Sequence, residues 1–66
     1  MNVPKLKGIM AEKGVSGNVL ASKAGIERSK LHRRLNNGEK ITVEEAQLIK
    51  DALDLTNEEA VAIFFN

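Results

Sequence analysis

Four cationic side chains, Arg28, Lys30, Arg33 and Arg34, fall within seven residues, interleaved with Ser29 and His32 and followed by Asn36. Between residues 28 and 36 the only apolar residues are Leu31 and Leu35, four apart. That spacing makes one buried stripe on a short helix. With the stripe turned inward, Arg28, Ser29, His32, Arg33 and Asn36 occupy the outward sides. Such a face donates hydrogen bonds; it does not make or break bonds. An arginine presents a planar fork of N–H donors that fits phosphate, or the O6/N7 edge of guanine. Arg34 reads as a surface or ion-pair residue and not as a base reader. A solvated surface has a similar composition, so the rest of the chain must decide between the two readings.

Bond-making chemistry finds little support. Ser29 has no base beside it that would make it a nucleophile. His32 is the single histidine and there are no cysteines, so neither a metal site nor a disulfide framework is expected. The carboxylates from Glu44 to Glu59 stand at the starts of helical segments, where capping and the helix dipole account for them. A chain of 66 residues also leaves little room for a pocket of about 300 Å³ or more. We therefore expect no enzyme activity, no cofactor and no small-molecule ligand.

Charge is unevenly spread. The formal net charge is only +1, but residues 1–20 carry +2, residues 21–40 carry +4 and residues 41–66 carry −5. A basic front and an acidic back orient the molecule in a field and attract a polyanion to the first half. That asymmetry favours nucleic acid over a merely solvated face. RNA is disfavoured, because the only aromatics, Phe64 and Phe65, lie far from the basic segment and offer it no stacking platform. No apolar run approaches the roughly 20 residues of a membrane span. Residues 1–10 lack the apolar stretch of a signal peptide. The expected compartment is the cytoplasm, without membrane association.

The elements that must position the basic face follow from punctuation. Pro4 suits a first helical turn, and Leu6, Ile9, Met10 and Lys13 continue at helical spacing until Gly14. Ser16 caps a second helix through Leu20, Ala21 and Ala24, which Gly25 ends. The basic helix starts near Glu27 or Arg28 and runs to Asn36, before the breaker Asn37-Gly38. Thr42 and Glu45 form a capping box for a fourth helix, whose inner face is read as Val43, Ala46, Ile49 and Leu53. Thr56 and Glu59 repeat the box for a last helix through Phe64. No segment alternates long enough to be a strand. The expectation is one all-α domain over residues 1–66, a five-helix bundle.

Leu20-Ala21, Ala24-Gly25-Ile26, Leu31 and Leu35 carry the outline of a helix-turn-helix. With Gly38, Ile41, Glu45, Leu53-x-Leu55 and Ala62-Ile63-Phe64-Phe65, the chain resembles the Cro/cI-type helix-turn-helix domains of the XRE class, with a lambda-repressor-like fold. It is similar to very short phage and prophage regulators over roughly residues 4–66. The resemblance implies double-stranded DNA as partner, with helix three in the major groove. Arg28, Ser29, His32 and Arg33 are then the base-contacting candidates. Gly17, Asn18, Asn36, Asn37 and Lys40 are the phosphate-contacting candidates. Two departures stand out. Arg34 occupies a place that is usually apolar, with Leu35 taking that role. Gly17 stands where the family often carries Gln, leaving a backbone N–H and Asn18 to meet a phosphate.

The last turn, Val61 to Phe65, is apolar almost all round. Val61, Ile63, Phe64 and Phe65 are therefore expected at a two-fold dimer interface, which would set two basic helices about 34 Å apart over a palindromic operator. Two functional readings stay open. One is a transcriptional regulator of the Cro repressor kind. The other is an interaction module that binds and modulates a partner repressor, with little DNA affinity of its own.

Overall fold

Helices in this protein begin where the sequence supplies an oxygen to hold the first turn. The Asn2 side chain accepts from the Lys5 N–H at 3.2 Å, and Ser16 Oγ from the Val19 N–H at 3.2 Å. Thr42 and Thr56 do the same for Glu45 and Glu59, at 3.0 and 3.1 Å. Both glutamates reach back to the threonine N–H, at 3.0 and 2.9 Å, completing two capping boxes. In a computed structural model, described for residues 1–38 and 40–65, these caps open α1 (Val3–Lys13), α2 (Gly17–Ala24), α4 (Val43–Leu53) and α5 (Asn57–Phe64). The basic helix α3 (Arg28–Asn36) differs: Glu27 precedes it without a side-chain capping bond. Glu39, counted above in the charge of residues 21–40, lies outside the described residues. No strand is present among the described residues, and no helix among them is long and apolar enough to cross a membrane.

One joint is used three times. In Gly14-Val15-Ser16, Gly25-Ile26-Glu27 and Asp54-Leu55-Thr56, the first residue takes a left-handed conformation, with φ of 67°, 70° and 52°. The second is apolar and turns its N–H back to the carbonyl five residues earlier. Val15 donates to Met10 at 2.8 Å, Ile26 to Ala21 at 3.0 Å, and Leu55 to Lys50 at 3.0 Å. The third residue is the cap of the next helix. Each joint thus satisfies terminal carbonyls and drives an apolar anchor inward within three residues. Asp54 is the one described non-glycine residue with positive φ, a region that costs a residue with a Cβ about 1–2 kcal/mol. Asp54→Gly is accordingly expected to raise stability by about 0.5–1 kcal/mol, read as a higher urea midpoint at unchanged slope. A lower midpoint would mean that the Asp54 side chain itself contributes to the joint.

The core draws on every helix. Leu6, Leu20, Leu31, Ile49 and Ile63 are the large side chains fully enclosed, one from each of α1 to α5. Burying each contributes roughly 1.5–3 kcal/mol. Ala21 is buried where α2 packs against α3, and Ile26 and Leu31 fasten α3 onto α2. α2 also packs on α4, while α5 packs on both α4 and α1. The Asn2 N–H donates to the Ile63 carbonyl at 2.6 Å, tying the start of the chain to its last helix.

Two sequence expectations need correction. Val43 is not on the inner face of α4; it is 79% exposed, and Glu45 is buried instead. At 100° per residue, Ala46, Ile49 and Leu53 span roughly 60° of the helix, Val43 falls about 60° outside on one side and Glu45 about 40° outside on the other. Glu45 has partners that make its burial affordable, described below. Ile63 is likewise inside the chain's own core, so its side chain is not available to a dimer interface. At the end of α5 the inward direction belongs to Ala60 and Ile63, not to the whole apolar turn.

Candidate nucleic-acid interface

The outward side of α3 is built by what its inward side holds. Leu31 and Leu35 are buried, which leaves Arg28, Ser29, His32, Arg33 and Asn36 exposed along the helix. The rotation is locked by Arg34. Its Nε donates to Glu45 Oε1 at 3.1 Å and its Nη2 to Glu45 Oε2 at 3.2 Å. Glu45 Oε1 also accepts from the Thr42 N–H, in the box that starts α4. One half-buried fork therefore joins α3 to α4, and of the two readings of Arg34, surface or ion pair, the ion pair is the one found. The same bond accounts for the departure from the usual apolar residue. Arg34 bridges to a neighbouring helix while Leu35 takes up the core position.

Electrostatics at this joint follow from its geometry. Burial pushes the Glu45 carboxyl up, but the Arg34 guanidinium and the Thr42 hydrogen bonds outweigh it and hold the carboxyl below its ordinary value of 4.5. Glu59 is also held below its ordinary value, first by the Thr56 N–H and further by Lys13 and Lys5. Well above pH 4.5 both groups are ionised in the folded and the unfolded chain, and their contribution to stability is complete. Below it the unfolded chain takes up protons first, so stability is lost as pH falls through the folded values. Thermal melts followed by circular dichroism should therefore show a melting temperature that falls between pH 5 and pH 3. Glu45→Gln should fall less steeply over that range. Equal slopes in the two proteins would rule out Glu45 as a contributor.

The first turn of α3 carries a local contact. The Ser29 hydroxyl donates to the Glu27 carboxylate. Its hydrogen is thereby engaged, and its oxygen keeps lone pairs that can accept from a base amino group. Arg28 stands beside it, exposed. One turn later, His32 and Asn36 lie four residues apart, with Asn36 Nδ2 3.4 Å from His32 Nδ1. Asn36 Oδ1 accepts from Lys7 Nζ of α1 at 3.5 Å. Lys7, His32, Asn36 and the backbone of Gly17 line one open cleft of about 340 Å³, so the expectation that a chain this short leaves little room for such a volume does not hold; helices α1, α2 and α3 leave a surface groove between them. Sequence reasoning counted Lys7 only in the charge balance, because nothing local links residue 7 to residue 36.

The remaining candidates surround this face. Asn18 is exposed on the first turn of α2, and Asn37 and Lys40 are exposed in the segment after α3. Gly38, between them, has a φ of 67°, which turns the chain sharply toward Ile41 and the Thr42 cap. Of the expected dimer residues, Phe65 is 70% exposed, Val61 56% exposed and Phe64 half-buried. Val43, which sequence reasoning turned inward, shares a small surface cleft with Phe64 and Phe65. A periodicity count could have found it only by weighing Glu45 against it for the inward position. Among the described residues no group of three or more His, Asp or Glu could hold a metal ion.

No curated protein and no solved structure matches the chain significantly. A family model described as a Cro/C1-type HTH DNA-binding domain matches residues 5–64. The match runs from the first turns of α1 to the last residue of α5, and includes the α2–α3 joint at Gly25-Ile26 and the exposed basic face of α3. The chain therefore belongs to the Cro/C1-type helix-turn-helix DNA-binding domain family.

Proposed function

We propose that this protein is a sequence-specific transcriptional regulator of double-stranded DNA, a phage or prophage repressor of the Cro kind. It inserts α3 into the major groove and acts as a dimer on a palindromic operator. The observation that carries the reading is the outward row of α3, Arg28, Ser29, His32 and Arg33, exposed on a helix whose rotation is held by the Arg34–Glu45 fork. In this reading those four side chains meet base edges. Gly17, Asn18, Asn36, Asn37 and Lys40 meet the sugar–phosphate chain, fixing register without reading sequence. Selection from a randomised duplex pool tests it. Enrichment of a palindrome, lost in an Arg28→Ala/Arg33→Ala variant, is expected; no enrichment would count against it.

The proposed dimer uses Val61, Phe64 and Phe65, with Val43 in place of Ile63. Support comes from Val43 and Phe65 together, the two most exposed large apolar groups among the described residues, gathered at one end of α4 and α5. Phe65→Asp is expected to lower the weight-average mass in sedimentation equilibrium to that of one chain, about 7.2 kDa, with the helical content kept. A wild-type protein already at that mass at high concentration would remove the dimer. The same apolar groups, on the acidic half of the chain, favour a second reading. There the protein docks on a partner repressor through this end, and the isolated chain binds duplexes weakly whatever their sequence.

A further inference from the structure

The carboxylate at the start of α3 does not cap the helix. Glu27 instead accepts a hydrogen bond from the Ser29 hydroxyl. Both side chains are exposed, and Arg28 stands exposed between them in sequence. A carboxylate only accepts, and a hydroxyl has a single hydrogen to give. With that hydrogen directed to Glu27, Ser29 meets whatever lies in front of it with lone pairs alone. If Ser29 faces a base, the Glu27 carboxylate, one hydrogen bond away, lies beside the same base. The first turn of α3 thus carries two acceptor groups next to the Arg28 donors.

An anionic group beside a face turned to a polyanion is repelled by the phosphates, so it subtracts from general affinity. Base edges act differently on it. In the major groove adenine N6 and cytosine N4 donate, while guanine N7 and O6 and thymine O4 accept. Every base pair carries its amino group on one strand and a keto oxygen on the other. Acceptors placed over one strand therefore favour A·T and C·G over T·A and G·C, being attracted in the first case and repelled in the second.

We infer that Glu27 is a specificity-determining residue: with Ser29 it forms an acceptor pair that selects an amino-bearing base, adenine or cytosine, beside the base read by Arg28. The inference rests on the DNA-binding reading above. It separates Glu27 from a merely solvated glutamate, because Glu27 adds discrimination and subtracts general affinity. Its removal moves the two quantities in opposite directions.

The test repeats selection from the randomised duplex pool with the wild-type protein, Glu27→Ala, Ser29→Ala and the double variant, with thermal melts of each as a check on the fold. Fluorescence anisotropy then compares duplexes that differ only at the pair whose preference Ser29→Ala alters, together with a duplex of random sequence. The wild-type protein is expected to prefer A·T and C·G there to T·A and G·C by about 5-fold or more. Glu27→Ala should bring that preference close to unity and leave the Arg28 position selected. It should also bind the random duplex about 2- to 5-fold more tightly at low salt. The effects of Glu27→Ala and Ser29→Ala on discrimination should not add, since the two residues act as one unit. An unchanged preference in Glu27→Ala would overturn the inference and leave the DNA-binding reading standing. So would a wild-type preference there for A·T over G·C in both orientations. Loss of preference at every position in Glu27→Ala would show that the residue acts through the fold, and would overturn the inference as well. A wild-type protein that enriches no duplex would overturn both readings.

Discussion

Ile63→Asp is expected to unfold the protein. Ile63 has no solvent exposure and lies in the cluster that joins all five helices. Its carbonyl also accepts the Asn2 N–H at 2.6 Å, so the backbone around it links α5 to the start of α1. Truncating a buried isoleucine to alanine costs about 2–5 kcal/mol. A carboxylate at the same place costs more, because it loses hydration and the apolar cluster offers no partner. A chain of this length has a total stability of about 3–10 kcal/mol. Far-ultraviolet circular dichroism at 25 °C should show loss of the helical signal. A cooperative melt close to that of the wild-type protein would place Ile63 outside the core. For the same reason dimerisation is tested at the exposed Phe65 and not at Ile63.

The second large effect is expected on DNA. Arg28→Ala/Arg33→Ala should leave the melting temperature nearly unchanged, since both side chains are exposed. It should remove preference for the selected site. A bidentate arginine–guanine contact contributes roughly 1–3 kcal/mol of discrimination. Two such contacts amount to a loss of about 30-fold to about 25,000-fold in specific affinity, while weak salt-sensitive binding to any duplex remains through the other cations. Fluorescence anisotropy with the selected duplex and a scrambled one separates the two quantities. A selected site bound equally well by the variant would take base reading away from α3. Single variants then apportion the effect. Arg28, in the first turn, should alter the preference for one base position, whereas Arg33 alters either a second position or only the salt slope.

Helix boundaries were readable because each has a local chemical cause. Pro4, Ser16, Thr42 and Thr56 mark starts, and Gly14 and Gly25 mark stops, through hydrogen bonds made within a few residues. The basic side of α3 was readable for the same reason, since Leu31 and Leu35 fix what faces out. The joint at Asp54 was not, because aspartate enters the left-handed region too rarely for its presence to signal a stop. Ile63 is misread because apolar residues outnumber the inward positions of its turn, and Val43 because a carboxylate with a partner on another helix takes the inward side. Periodicity ranks such residues by angle alone. Only the neighbouring helices decide which of them is covered.

The sequence by itself determined the five helices, the caps at Ser16, Thr42 and Thr56, the segregation of charge and the outward residues of α3. All of these depend on contacts within one helix or one turn, whose partners stand three to five residues apart. Tertiary structure decided the rest. It selected Glu45 over Val43 for the inward side of α4, by bringing Arg34 from another helix to neutralise the carboxylate. It enclosed Ile63 between α1 and α4, leaving Val61 and Phe65 outside. It also carried Lys7 to Asn36, across 29 residues of chain. Each of these outcomes is settled by the packing of helices against one another, and residue spacing within a single helix holds no record of that packing.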